Sequence, residues 1–363
     1  MQRADIIRSF FILFLGDSMK GKNALTLVLL LSLALILIVF SSDARTGAAQ
    51  GLALAQNTII PSLMPLLIIF YIIIKSSARD VLAKALGFIS TSLFNLPKVT
   101  FPAIFFGMVG GYPTGALLTN ELLLNGDIDK KQARRLLRFN MCGGCGFIIT
   151  AVGSVTFNSV KIGLVLFFAN LLAAITVGFI LSFTEKRMRT DFYSYSNEIE
   201  ITDALVGATG SAVSAVLNMT AYIILFSAFN KIMPIPQMLT PLLEITNGIC
   251  EGTDIPLPQI SAFLAFGGFC IHLQLLPVIS NAQMNYFDFL LNRIFCALLS
   301  YCYTKCILFA FPVERYVFSS NDTKVIEFSS VNVTLSILMI IGCFVIVADV
   351  YSRSIVHRKK TAL

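Results

Sequence analysis

The chain has 363 residues, of which 56% are hydrophobic and only 13% are charged, and its mean hydropathy is +0.81. Soluble domains carry about 25% charged residues, so this composition excludes an ordinary soluble protein. The net charge of +7 is not a nucleic-acid signal, because the basic residues lie in short loops, where they orient a membrane protein. We therefore predict an all-α polytopic membrane protein that contacts the lipid bilayer and no nucleic acid.

Apolar segments follow one another along the whole chain. Residues 24–40 are interpreted as a retained transmembrane helix rather than a signal peptide, because further apolar segments follow. Segments 85–97 and 238–250 are shorter than the about 20 residues that a spanning helix needs, which indicates re-entrant or broken segments. We predict about 9–11 transmembrane or re-entrant segments, from the apolar runs 24–40, 48–74, 85–97, 99–124, 136–157, 160–183, 204–230, 238–250, 259–279, 288–312 and 331–351.

Two parts of the sequence are similar to each other. GGYPTGALL (110–118) precedes NGDIDKKQARRLLRF (125–139), and GGFCIHLQLL (267–276) precedes NAQMNYFDFLLNRIF (281–295), about 156 residues further on. We predict an N-terminal tail with the first helix (1–47), a first gate-like repeat ending in a polar cytoplasmic linker (48–200), and a second with a basic cytoplasmic tail (201–363). Repeats with glycine- or proline-broken helices are typical of secondary transporters. A chance likeness between apolar segments is the alternative.

Four groups of lysine and arginine predict the orientation. They lie at 3–22, 130–138, 186–189 and 353–360. The positive-inside rule assigns all four to the cytoplasm, so both termini are predicted to be cytoplasmic. The loops of the second half are nearly neutral, and the sequence leaves open whether the repeats are inverted or parallel.

Glycine clusters interrupt the apolar segments in both halves. A helix broken inside the membrane exposes unpaired N–H groups and the positive end of a half-helix dipole, which suits an anionic ligand. Close packing of helices is the competing explanation for each single glycine. The predicted substrate-binding residues at and near these breaks are Gly110, Gly111, Tyr112, Pro113, Thr114, Gly115, Asn140, Gly143, Gly144, Thr246, Asn247, Gly267, Gly268, Gln274 and Arg293.

Three ionisable residues in apolar surroundings extend this candidate site, because charged groups are costly there. Glu244 and His272 are candidates for binding a coupling ion or proton. A glutamate paired with an interfacial lysine, or a histidine with satisfied hydrogen bonds, would explain them equally well. Arg293 either binds a carboxylate or extends to the interface.

No enzyme is predicted, although an intramembrane enzyme built on Glu244 and His272 is a second hypothesis. The sequence has no GxxxxGK[ST] loop, so ATP does not drive the protein directly, and it has no HExxH or GxSxG motif. Cys142 and Cys145 form a CxxC pair without a second pair of ligands. We interpret them as packing residues and predict no metal, no cofactor and no catalytic residue.

The stretch GGYPTGALLTNELLLNGDIDKKQARRLLRFNMCGGCGFIITAVG resembles the sporulation integral membrane proteins of the YlbJ type, within the wider nucleoside-recognition or gate-domain family. The resemblance continues at LTPLLEITNGI (239–249) and FLAFGGFCIHLQLL (263–276). It implies a transporter that moves dipicolinate, a small aromatic dianion, across a membrane surrounding the forespore. A nucleoside or other small-metabolite carrier and a non-transporting scaffold or signalling protein are the alternatives. The oligomeric state is open, with a homo-oligomer among the options.

Overall fold

The computed structural model describes residues 21–183, 201–232, 236, 238–250 and 254–313, and these contain helices and no β-strand. Four described helical segments are long and apolar enough to cross a membrane, namely Val160–Phe183, Asp203–Ile232, Leu257–Asn281, which is interrupted at Gly267, and Tyr286–Ala310. A fifth span results if the bent pair of helices near the start of the described residues is counted as one. The predicted all-α polytopic membrane class is therefore confirmed. The predicted segment 331–351, the basic groups 186–189 and 353–360, and the group 3–22 except Lys22 lie outside the described residues.

The described helices vary widely in length, and several end inside what the sequence predicts as single apolar segments. Residues Ala55–Ile59 and Gly146–Thr156 are π-helical, and Lys98–Thr100 form a 3₁₀ turn. The α-helices are α1 Gly21–Val39, α2 Ser41–Leu54, α3 Ile60–Lys75, α4 Ala78–Leu86, α5 Phe88–Leu93, α6 Phe101–Gly110, α7 Tyr112–Leu124, α8 Lys130–Phe139, α9 Val160–Phe183, α10 Ile201–Ile232, α11 Thr240–Leu243, α12 Ile245–Cys250, α13 Leu257–Phe266, α14 Gly268–Asn281 and α15 Tyr286–Ala310.

Helix α10 runs antiparallel to α2 and α3 and connects the two faces of the protein. At one end of α10, the Lys75 ammonium at the end of α3 donates to the Ser211 hydroxyl at 3.2 Å. At the other end, α2 packs closely, since a Cβ added to Gly47 would lie 2.8 Å from Cβ of Lys231. The break between α1 and α2 bends the chain by 96°.

Helices α6 and α7 form a hairpin rather than one span across the predicted segment 99–124. Gly107 and Gly115 face each other across the hairpin, since a Cβ on Gly107 would lie 2.6 Å from Cα of Gly115. The chain reverses at Gly111, whose φ of +105° is a backbone conformation that glycine adopts without strain. Pro113 follows in the first turn of α7, where its missing N–H leaves no helical bond unmade.

A second, shorter hairpin is formed by α11 and α12. Its two arms touch, because a Cβ on Gly248 would lie 2.5 Å from the nitrogen of Pro241. Its tip is Glu244, where the backbone is extended between the two helices. The hairpin follows α10 in the chain, and the end of α10 that leads into it packs on α2. The hairpin is followed by α13, which begins near the end of α15, since Pro258 and Lys305 lie side by side.

Polar contacts gather the loops that follow α3, α7 and α14 at one side of the protein, here called the basic face. Arg79 at the start of α4 binds the Asp127 carboxylate at 2.6 Å and 3.2 Å, and Lys75 pairs with Glu121 at 3.4 Å. The Asn281 amide donates to the Asn120 side chain at 3.0 Å. The α6–α7 hairpin therefore opens toward the basic face, whereas the α11–α12 hairpin is connected to the opposite face.

Helices α9, α13 and α15 form a bundle that a small polar cluster holds together. The hydroxyls of Ser261 and Ser300 lie 2.6 Å apart, and the Asn170 amide donates to the Ser261 hydroxyl at 3.2 Å. All three side chains are buried. In an apolar environment such hydrogen bonds stabilise helix association by about 0.6 kcal/mol each on average, so the cluster holds α13 against α9 and α15.

Candidate functional site

The first element of the site is the interruption between α8 and the following π-helix. Asn140 ends α8 with a fully buried side chain, and its amide donates to the carbonyl of Ala103 at 2.9 Å and of Gly115 at 3.4 Å. One side chain thus spans both arms of the α6–α7 hairpin. Residues 141–144 are non-helical and lie along the hairpin tip, where a Cβ on Gly144 would be 2.6 Å from the carbonyl oxygen of Gly110.

The second element is the break between α13 and α14. Gly267 and Gly268 have φ of +94° and +71°, so the helix cannot continue through them. The Tyr112 hydroxyl at the tip of the first hairpin donates to the Leu264 carbonyl, and its ring lies 3.4 Å from the position of a Cβ on Gly267. On the other side, a Cβ on Gly268 would lie 3.1 Å from the Pro241 carbonyl oxygen. The tips of both hairpins therefore meet at this one break.

Arg293 on α15 is buried where the two interruptions meet. Its guanidinium donates to the backbone carbonyls of Met141, of Arg138 at 2.9 Å and of Ala265 at 3.5 Å. These carbonyls come from the C-terminal ends of α8 and α13, which carry partial negative charge. Among the described residues no carboxylate pairs with Arg293, and its buried Nε has no hydrogen-bond partner.

Glu244 contributes a buried carboxylate at the tip of the second hairpin. It is 1% exposed, and Oε1 accepts a hydrogen bond from the Thr246 backbone N–H at 2.8 Å. The carboxylate therefore caps the start of α12. Thr246 itself is buried, whereas the side chain of Asn247 lies outside what the structure describes.

His272 is buried one turn beyond the second break, and both of its ring nitrogens have partners. Nε2 lies 3.0 Å from the Phe266 carbonyl oxygen, and Nδ1 lies 3.1 Å from the Tyr286 hydroxyl. Gln274 is half-buried and donates to the Cys270 sulfur at 3.4 Å, on the side of α14 away from these partners.

Most of the residues predicted from the glycine pattern lie around this junction. Two oxygens there, Thr114 Oγ1 and Asn140 Oδ1, are buried without a hydrogen-bond partner. Gly143 contacts the junction as well, since a Cβ on it would lie 3.1 Å from the Tyr112 hydroxyl. No sequence pattern predicted Met141, Tyr286 and Phe289, because a backbone carbonyl that accepts a hydrogen bond and aromatic side chains in an apolar run carry no distinctive signal. The residues that meet at the junction are Gly110, Gly111, Tyr112, Thr114, Gly115, Asn140, Gly143, Gly144, Gly267, Gly268 and Arg293.

No family model and no solved structure matches this chain. The chain is similar to the sporulation integral membrane protein YlbJ of Bacillus subtilis (strain 168), with 25% identity over 299 residues, covering 68% of this chain and 73% of that protein. Together with the helical membrane architecture, this similarity supports assignment of the chain to the YlbJ type of integral membrane proteins.

Proposed function

We propose that the protein is a secondary transporter for a small organic anion that acts in sporulation, with dipicolinate as the leading candidate. The two hairpins support transport, because they are connected to opposite faces and their tips meet at one broken helix. Movement of either tip would expose the junction to one face at a time, as alternating access requires. The relative named for sporulation supports the biological setting.

We choose an anion as the substrate because the buried guanidinium of Arg293 has no carboxylate partner among the described residues. A charged group that is 1% exposed in a membrane protein ordinarily has a charged partner, because burying it alone costs several kcal/mol. The three carbonyls compensate in part, yet Nε–H remains unpaired. A carboxylate beside Arg293 would supply the missing negative charge and accept that N–H.

A dicarboxylate suits the junction better than a single carboxylate does. Helices α7 and α14 both begin there, at Tyr112 and Gly268, so two positive helix ends lie near the buried guanidinium. The Tyr112 ring at the same place offers an aromatic surface to a planar ligand. A rigid ring with two carboxylates, such as dipicolinate, combines both features.

The described conformation has a closed site. Thr114 and Asn140 are fully buried and Arg293 is 1% exposed, so a ligand reaches them only after a hairpin tip moves. Glycines at the contacts between the tips and the breaks permit such movement without the loss of interlocked side chains.

The test is uptake of labelled dipicolinate into proteoliposomes, with uridine and an aliphatic dicarboxylate in parallel. Arg293→Gln should abolish saturable uptake, and Arg293→Lys, which keeps the charge but loses the planar fork, should weaken it. Arg134→Gln is the matched control. Arg134 also donates to a backbone carbonyl, that of Ala282 at 3.3 Å, but it lies at the basic face and not at the junction.

The outcomes separate the alternatives. Uptake of uridine alone would keep a carrier but replace the anion by a nucleoside. If folded wild-type protein takes up none of the three compounds, the transporter proposal fails and a scaffold or signalling role is favoured. Thermal stability of each variant in detergent is measured first, so that loss of uptake is not confused with loss of folding.

A further inference from the structure

The hydrogen bonds of His272 identify the nitrogen at which it can take up a proton. A backbone carbonyl can only accept, so Nε2 carries the hydrogen that it shares with the Phe266 oxygen at 3.0 Å. Nδ1 lies 3.1 Å from the Tyr286 hydroxyl, which can donate to it when the ring is neutral and accept from it when the ring is protonated. Nδ1 is therefore the nitrogen where a proton can be gained or lost.

His272 and Arg293 share the end of one helix. Arg293 donates to the Ala265 carbonyl and His272 to that of Phe266, which are successive residues at the C-terminus of α13. The Phe289 ring lies beside both, with its centroid 5.1 Å from the His272 ring centroid and 5.9 Å from Cζ of Arg293. A proton on His272 would thus add a second positive charge close to a buried guanidinium.

The surroundings of His272 offer nothing to balance that charge. Tyr286 and Arg293 on α15 are the titratable or charged side chains of the described residues that act on it, and no described carboxylate does. Its other neighbours are the rings of Phe266, Phe269 and Phe289. An anion bound beside Arg293 would supply the missing balance.

We propose that His272 takes up one proton at Nδ1 when an anion binds beside Arg293, so that the protein carries the anion together with a proton. This inference rests on the function proposed above and names its coupling ion. Bound carboxylates would reverse the sign of the local field, and a protonated imidazole would then be attracted to the site. Tyr286 is half-buried beside the loop 282–285 of the basic face and gives the proton a route from water to Nδ1.

Linkage gives this coupling a measurable form. Binding of anion and proton must favour each other equally, whichever binds first. If one proton enters with each anion, the Kd for the anion rises about tenfold for each unit of pH between about 6.5 and 8.5. Both carboxylates of dipicolinate are ionised throughout that range, so the probe itself contributes no proton change.

The experiment is calorimetric titration of the purified full-length protein in detergent with dipicolinate, at about pH 6.5, about 7.5 and about 8.5. Paired buffers that differ in ionisation enthalpy give the number of protons bound with each anion. The variant is His272→Gln, whose amide can still donate to Phe266 and accept from Tyr286 but cannot take a charge. The competing variant is Glu244→Gln, which removes the buried carboxylate at the tip of the second hairpin.

We expect one proton per anion in the wild type, and a pH-independent Kd without proton uptake in His272→Gln. Anion binding that is independent of pH in the wild type overturns the coupling and leaves the proposed function standing. Proton uptake that survives in His272→Gln but disappears in Glu244→Gln also overturns it, because the carboxylate is then the carrier. Absence of any anion binding to folded protein overturns both proposals.

Discussion

Substitution of Gly115 tests whether the α6–α7 hairpin depends on its close contact with the break after α8. A Cβ at Gly115 would fall on the backbone carbonyl oxygen of Asn140, far inside the ordinary contact range of 3.4–4 Å. The obstacle is backbone, so no side-chain rotation relieves it. Gly210 on α10 is the matched control, because it also lies within a helix and a Cβ there meets nothing within 4 Å.

The expected difference between the two variants is about 1.5 to 4 kcal/mol in the free energy of unfolding. Overpacking at Gly115→Ala costs typically about 1 to 3 kcal/mol. Gly210→Ala should stabilise its helix by about 0.5 to 1 kcal/mol, because alanine loses less backbone freedom on folding. The Gly115 variant should therefore melt several degrees lower and should bind or transport the anion poorly.

Thermal unfolding in detergent can be followed with a thiol-reactive fluorophore, because the chain has no tryptophan but has buried cysteines such as Cys142 and Cys296. The exposed Cys302 and Cys306 are first replaced by serine to lower the background. Equal melting temperatures and equal uptake for Gly115→Ala and Gly210→Ala would refute the tight packing of the hairpin against Asn140.

Two further substitutions probe the supports of the site by the same unfolding assay. Asp127→Ala strips the buried Arg79 of its bidentate partner and should cost about 3 kcal/mol, whereas Glu121→Ala breaks the partly exposed pair with Lys75 and should cost less than about 1 kcal/mol. Ser261→Ala removes the hydroxyl that joins α9, α13 and α15 and should cost about 0.6 to 1.7 kcal/mol.

Each of these expectations can fail in its own way. If Asp127→Ala and Glu121→Ala destabilise the protein equally, burial of the Arg79 pair is not what stabilises the basic face. If Ser261→Ala is neutral, the helix bundle is held by apolar packing alone and the polar cluster is dispensable for stability.

The glycine and proline pattern located the interruptions near the residues where the helices end. Gly111, Gly267 and Gly268 adopt positive φ, and glycine is the residue for which that backbone costs least. Asn140 closes α8 immediately before the glycines of Cys142–Gly146. The prediction of two related halves is not tested by these contacts and stays a prediction.

The sequence pattern located one hairpin and missed the course of the chain at the other. It marked 85–97 and 238–250 as re-entrant or broken, and the α11–α12 hairpin lies within 238–250. It also placed a glycine break in 99–124 but did not predict that the chain reverses there, at Gly111. A run of 26 residues is long enough to span a bilayer, and length is all that a hydropathy pattern measures. Only the contact between Gly107 and Gly115 shows that its two arms lie side by side.

The sequence by itself determined that this protein is a helical membrane protein with breaks in its apolar segments. Composition decides the first, because few charged residues over a long chain exclude a water-solvated surface, and glycine conformation decides the second. The hydrogen-bond partners of Arg293 and His272 were decided by the tertiary structure alone. These partners include backbone carbonyls that lie on another helix or across a break in the same helix. Arg293, for example, binds the carbonyl of Met141, which is 152 residues earlier in the chain. Every residue has a carbonyl, so no sequence pattern marks the ones that a buried cation will bind.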